Sequence, residues 1–216
     1  MSERTSDATS PLTAMASAWT QFAESAFKGA TAANRAAFAA FNPATATRTR
    51  ARHDDTEILE STIPSLGYEE AGWTFERTVD NPADLTVGDH VQFSKVIDED
   101  DVREFANASG DTNRLHLDEE FAKGSRFKGR IVHGTLAAGL ISAALARLPG
   151  MTIYLSQDVE FQAPVRIGDR LTATVEVLEV LGNGQYRLST IVEDVSTDTI
   201  IIDGEAVVLI DEMPSE

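Results

Sequence analysis

From His133 to Leu148 the chain reads HGTLAAGLISAALARL, apolar on nearly every side and closed by Pro149-Gly150. A helix with no polar face has to be buried by the rest of its domain. The segments that follow can do this. Thr152 to Phe161, Arg170 to Leu181 and Gln185 to Val195 are β-rich, and Thr199 to Ile210 is a last strand. Asn183-Gly184 between two of them is a type I′ hairpin signal. One buried helix followed by antiparallel strands predicts an α+β plan, a sheet wrapped around a central helix.

Upstream, Gly88-Asp89 predicts a turn and His90 to Ile97 a strand. Glu99 to Asn107 reads as a short helix with Asp98 as its N-cap. Residues 108–130 then form a long loop with a helical turn at Asp118 to Ala122. Loops this long inside a compact domain are uncommon and usually functional. The reading places the folded domain at residues 85–212 and a connector at 43–84, with a short strand at Gly72 to Val79 ahead of the domain. Residues 1–10 are small and polar, a disordered start. Residues 11–42 are Ala-rich, with Leu12, Met15, Trp19, Phe22 and Ala26 on one helical seam and Asn42-Pro43 as a stop.

Composition narrows the classes. A length of 216 residues allows one domain with an extension, and 42% hydrophobic residues suffice for a core. The absence of Cys excludes disulfides and thiolate metal sites. No apolar run is long enough for a transmembrane helix and no signal-peptide pattern opens the chain, so a cytoplasmic protein is expected. The net charge of −17 argues against nucleic acid, whose phosphates need a basic face. Lys28, Lys95, Lys123 and Lys128 are the only lysines beside 35 acidic residues. That balance serves solubility, or suits a high-salt cytoplasm in which screening weakens self-repulsion. It resembles proteins of halophilic archaea.

Within the long loop, Gly110 supplies a turn and Asp111 and His116 stand five residues apart. A carboxylate and an imidazole held together can share one water, the arrangement that acid–base hydration needs. On spacing alone, the competing reading is a turn cap and an unrelated loop histidine.

The longer strings carry a resemblance. SGDTNRLHLD (Ser109 to Asp118), FKGRIVHGTL (Phe127 to Leu136), IYLSQDVEFQAPVRIGD (Ile153 to Asp169) and GEAVV (Gly204 to Val208) resemble the MaoC-like, (R)-specific enoyl-CoA hydratases of the hot-dog fold. The family usually reads N-P-L-H where this chain has Arg114, a change that bears on loop rigidity more than on chemistry. The resemblance implies syn hydration of a trans-2-enoyl-CoA by Asp111 and His116, with no metal or redox cofactor and a CoA thioester as substrate. It implies Gly134 as the oxyanion donor, Asn113 as an orienting residue and Ser142 on the acyl pocket. The residues themselves leave alternatives. Gly134 could merely permit close packing, Asn113 could be a turn residue, and Ser142 could bond the carbonyl one turn back. His133 could line the site, but reads better as a structurally satisfied histidine. Lys123, Arg126, Lys128 and Arg130 are the densest basic island, either a seat for CoA phosphates or a solvated loop.

The family builds its sites on paired hot dogs, so a homodimer is expected. Its product would be a polyhydroxyalkanoate monomer, and residues 11–42 loosely resemble phasin helices, which implies docking on granules or the synthase complex. The alternatives are a dehydratase of another 3-hydroxyacyl-CoA or acyl-carrier-protein thioester, and a non-catalytic acyl-CoA-binding or granule-associated protein.

Overall fold

The computed structural model describes residues 57–214. The readings for residues 1–10 and 11–42, and the first part of the connector, lie outside the described residues. A short strand pair comes first, β1 (Ile58–Leu59) and β2 (Glu69–Glu70). Then come β3 (Thr74–Arg77), β4 (His90–Val96), α1 (Glu99–Ser109), α2 (Arg114–Leu117), α3 (Glu119–Lys123) and α4 (Gly134–Leu145). Four long strands close the chain: β5 (Met151–Phe161), β6 (Arg170–Gly182), β7 (Gln185–Asp194) and β8 (Thr199–Asp211). Six strands form one sheet in the order β3-β4-β6-β7-β8-β5, each neighbouring pair antiparallel. The sheet curls on α4 in the expected hot-dog arrangement.

The core follows from two periodicities. On β7, Leu188, Thr190 and Val192 are fully buried, every second residue as a half-buried strand requires. On α4, Ala137, Leu140, Ile141, Ala144 and Leu145 are buried, the 3–4 spacing of one helical face. The opposite face is a correction to the reading of a wholly buried helix: Gly134, Thr135, Gly139 and Ser142 are exposed. Their small size makes the stretch look apolar all round, yet they lie open to solvent.

The domain also starts earlier than residue 85. β3 pairs in register with β4, Phe75 opposite Phe93, and is the first strand of the sheet. Just upstream, Glu69 of β2 reaches the Arg147 guanidinium at 2.6 Å. Arg147 is only 3% exposed and lies 4.1 Å from the centre of the Phe93 ring, with Trp73 and Phe75 also beside it. Its main-chain carbonyl accepts from Arg77. A buried charge left without its partner is strongly destabilising, so residues 69–77 are structural parts of the domain and not linker. The strand predicted at Gly72 to Val79 is present, but its pairing with β4, which begins 16 residues on, joins it to the domain rather than to the connector.

Candidate active site

α1 begins on a reciprocal cap. Asp98 accepts from the Asp101 N–H, and the Asp101 side chain accepts from the Asp98 N–H. The helix ends at Gly110, whose φ of 79° is the left-handed turn that glycine tolerates. That turn delivers Asp111, which is held at three points. Its N–H donates to Ser109 Oγ at 3.1 Å, and its Oδ1 accepts from the Asn113 N–H at 3.2 Å. Its main-chain carbonyl accepts from His133 Nε2 at 3.0 Å. Oδ2 has no protein donor among the described residues.

The predicted loop is more regular than its sequence suggests. Asn113 Oδ1 accepts from the Leu115 N–H and caps α2, and Asp118 caps α3 through the Phe121 N–H. Asn113 therefore serves as a turn and cap residue with its side chain, and steadies Asp111 with its main chain. Arg114, where the family has proline, occupies the first helical position of α2, pairs with Asp118 at 2.7 Å and covers the Phe121 ring. Proline would fix φ at that position; here the cap and the ion pair restrain the same turn.

α2 points His116 inward, where it is 9% exposed. Its Nδ1 lies 2.8 Å from the Ile131 carbonyl. A carbonyl only accepts, so Nδ1 carries a proton in this contact, which sets the tautomer that leaves Nε2 as the acceptor. The ring of His133 lies 3.9 Å away at a 31° tilt, and Phe105 packs on the other ring at 4.9 Å. Burial holds His133 below the ordinary histidine pKa, with His116 adding to the effect, against the opposing pull of the Asp111 carbonyl and carboxylate. Asp111, His116 and His133 each offer a ligand-type atom within 4.8 Å of the others. That is a two-histidine, one-carboxylate set by residue type. Within that set His133 already spends its Nε2–H on the Asp111 carbonyl.

Gly134 opens α4, and the first amides of a helix have no intrahelical acceptor. A Cβ at this position would meet Phe161 at 2.9 Å. Close packing is thus a real requirement for Gly134, and it comes from β5, a contact the sequence did not signal. Ser142 lies on the open face of α4, two turns along, and makes no side-chain bond to the carbonyl one turn back.

The basic island divides. Arg130 chelates Glu99 and also approaches Glu119, and so works as an internal strut. The chain's own acid excess supplies these partners. The pairing also holds the Glu99 carboxyl below its ordinary pKa. Lys123 pairs with Glu120 at 2.7 Å. Arg126 and Lys128 are exposed without a carboxylate partner among the described residues. Arg166, absent from the sequence reading, fastens their loop by donating to the Phe127 and Arg130 carbonyls. An open hollow lined by Asp158, Glu160, Asp203 and Glu205 lies on the face of the sheet away from the core. Its charge would repel an anionic ligand.

Residues 74–200 match the MaoC like domain, well over half of the chain. The chain is 42% identical over 129 residues to an (R)-specific enoyl-CoA hydratase of Rhodospirillum rubrum, aligning 59% of this chain and 89% of that protein. It is 44% identical over 127 residues to a 3-hydroxybutyryl-CoA dehydratase of Methylorubrum extorquens, with 58% and 80% aligned. Among solved structures, an unliganded R-hydratase from Pseudomonas aeruginosa matches with a TM-score of 0.58 and 38% identity, covering 65% of this chain and 90% of that one.

Proposed function

Because the chain belongs to the MaoC-like domain family, we propose that it is a hydro-lyase, an (R)-specific enoyl-CoA hydratase interconverting trans-2-enoyl-CoA and (R)-3-hydroxyacyl-CoA. The observation that carries this reading is the pairing of His116, held through Nδ1 by the Ile131 carbonyl, with the Asp111 carboxylate, ligand-type atoms of the two lying within 4.8 Å of each other. One water accepts that span, since each of its two hydrogen bonds is about 2.8 Å long. As its oxygen adds to C3, the water gives one proton to the pair, and the pair returns a proton to C2 on the same face. The Gly134 amide receives the thioester oxygen as it becomes an enolate. Ser142 lines the acyl side on the open helix face. The chemistry calls on neither a metal nor a redox cofactor.

A homodimer fits this reading. β5 is an edge strand of eleven residues with none of them buried, and the exposed face of α4 lies open as well. Long open edges are normally covered. Delivery of the product to polyhydroxyalkanoate synthesis, through residues 11–42 on granules or the synthase complex, extends the proposal. So does a high-salt cytoplasm, which the net charge of −17 supports.

The test is hydration of crotonyl-CoA, followed by loss of the enoyl thioester absorbance, with chiral analysis of the product. Formation of (R)-3-hydroxybutyryl-CoA is expected. Binding without turnover would identify a non-catalytic acyl-CoA-binding protein, and a strong preference for crotonyl-acyl carrier protein would move the substrate to the carrier-bound class.

A further inference from the structure

His133 is one of the most buried side chains of the domain at 1% exposure, and its placement has no structural justification of the usual kind. It is the N-cap residue of α4 but makes no side-chain cap bond. Its Nδ1 is buried with no hydrogen-bond partner among the described residues. An unpaired buried nitrogen costs free energy. A phenylalanine would fill the same slot between Phe105 and His116 without that cost. What phenylalanine could not do is donate the Nε2–H to the Asp111 carbonyl.

We propose that His133 is a positioning residue, which fixes the Asp111 main chain through that donor and so sets the distance between the Asp111 carboxylate and His116. The proposal rests on the reading of Asp111 and His116 as the proton-transfer pair. Two other contacts, from Ser109 Oγ and the Asn113 N–H, lie within two residues of Asp111 and move with the loop. The His133 contact spans 22 residues and, among the described residues, is the one hydrogen bond that anchors Asp111 to the start of α4, where Gly134 stands. One residue thereby ties the carboxylate, the His116 ring and the oxyanion amide into one frame. Burial disfavours the His133 cation, and its ring stacks on His116 at 3.9 Å. Small misplacements of reacting groups have large effects on rate and small ones on binding.

The experiment compares His133→Phe and His133→Gln in the full chain. Phenylalanine keeps an aromatic ring in the stack and removes the donor, whereas glutamine restores an N–H near the position of Nε2. For crotonyl-CoA hydration, His133→Phe should lower kcat by roughly 10–100-fold with KM changed less than about threefold. His133→Gln should recover most of that loss. The Asp111 carbonyl ¹³C resonance reports the same bond independently of activity, and should shift in His133→Phe and return in His133→Gln. Near-wild-type kcat in His133→Phe, or no recovery in His133→Gln, overturns the proposal. If the wild-type chain does not hydrate crotonyl-CoA, the functional reading fails on its own. The ¹³C shift then decides the contact, and an unmoved resonance in His133→Phe overturns it.

Discussion

Asp111 and His116 show how a flexible-looking sequence is made rigid by hydrogen bonds. Asp111 is fixed at its N–H, its carbonyl and one carboxylate oxygen, which leaves the other oxygen to meet a water. His116 has its tautomer set by the Ile131 carbonyl. Asp111→Asn and His116→Ala should each lower kcat for crotonyl-CoA hydration by about 10²–10⁴-fold, the usual range for one proton-transfer partner. Circular dichroism should show both chains folded, and retention of more than about a tenth of the activity would sink the pair. His133 adds a pH dependence of stability. Its folded-state pKa lies below the ordinary 6.5 because burial disfavours the cation. The unfolded chain therefore takes up this proton first as pH falls, and stability drops with it. The contribution is complete above about pH 6.5 and is lost as pH falls through the depressed folded value. Melting temperatures from pH 7.5 to 5 should fall more steeply for the wild type than for His133→Phe; parallel curves would show that this ring does not couple to folding.

At the scale of elements, the segment from α1 to the start of α4 works as a frame built by caps. Gly110, Asn113 and Asp118 each end or start a helix, and Arg130 braces α3 to α1 through Glu119 and Glu99. This brace divides the cations by role. Arg126 and Lys128 are the exposed cations of the island without a carboxylate partner among the described residues, and the proposed function gives them the phosphates of CoA. Replacing both with glutamine should raise KM for CoA thioesters about 10-fold, while KM for pantetheine thioesters and kcat change little, because uniform binding is what would be lost. Equal effects on the two substrates would place these side chains away from the nucleotide.

For the whole molecule, charge and the open surfaces dominate. A net charge of −17 opposes the compact state, and salt screens that repulsion, from a Debye length of about 10 Å at 0.1 M to about 3 Å at 1 M. Raising KCl from 0.1 to 2 M should lift Tm by at least about 4 °C, the scale of 1 kcal/mol for a chain of this size. A flat or falling Tm would leave the acid excess to solubility alone. A truncated chain beginning at Glu57 keeps Glu69, Trp73 and the whole sheet. It should retain hydratase activity, sediment as a dimer, and lose co-sedimentation with polyhydroxyalkanoate granules. If the truncation kills activity or dissociates the dimer, residues 1–56 belong to the catalytic fold and the granule proposal fails.

Much of this was legible in the sequence, because periodicity and caps are local. The strands around Asn183-Gly184, the helix from His133 and the Asp98 cap are each written within a few residues of where they act. So was the spacing of Asp111 and His116, once the flanking strings identified the family. Other features depended on partners far along the chain, which no local pattern encodes. The Arg130–Glu99 brace crosses 31 residues and the Arg147–Glu69 pair 78, so a cation that looked available was committed and a connector proved to be structural. Phe161 on Gly134 and His133 on the Asp111 carbonyl are of the same kind. Sequence determined which residues could carry the chemistry, and only the tertiary structure decided which were held in place to do it. A side chain's type is local, but its hydrogen-bond partner is set by how the sheet brings distant segments together.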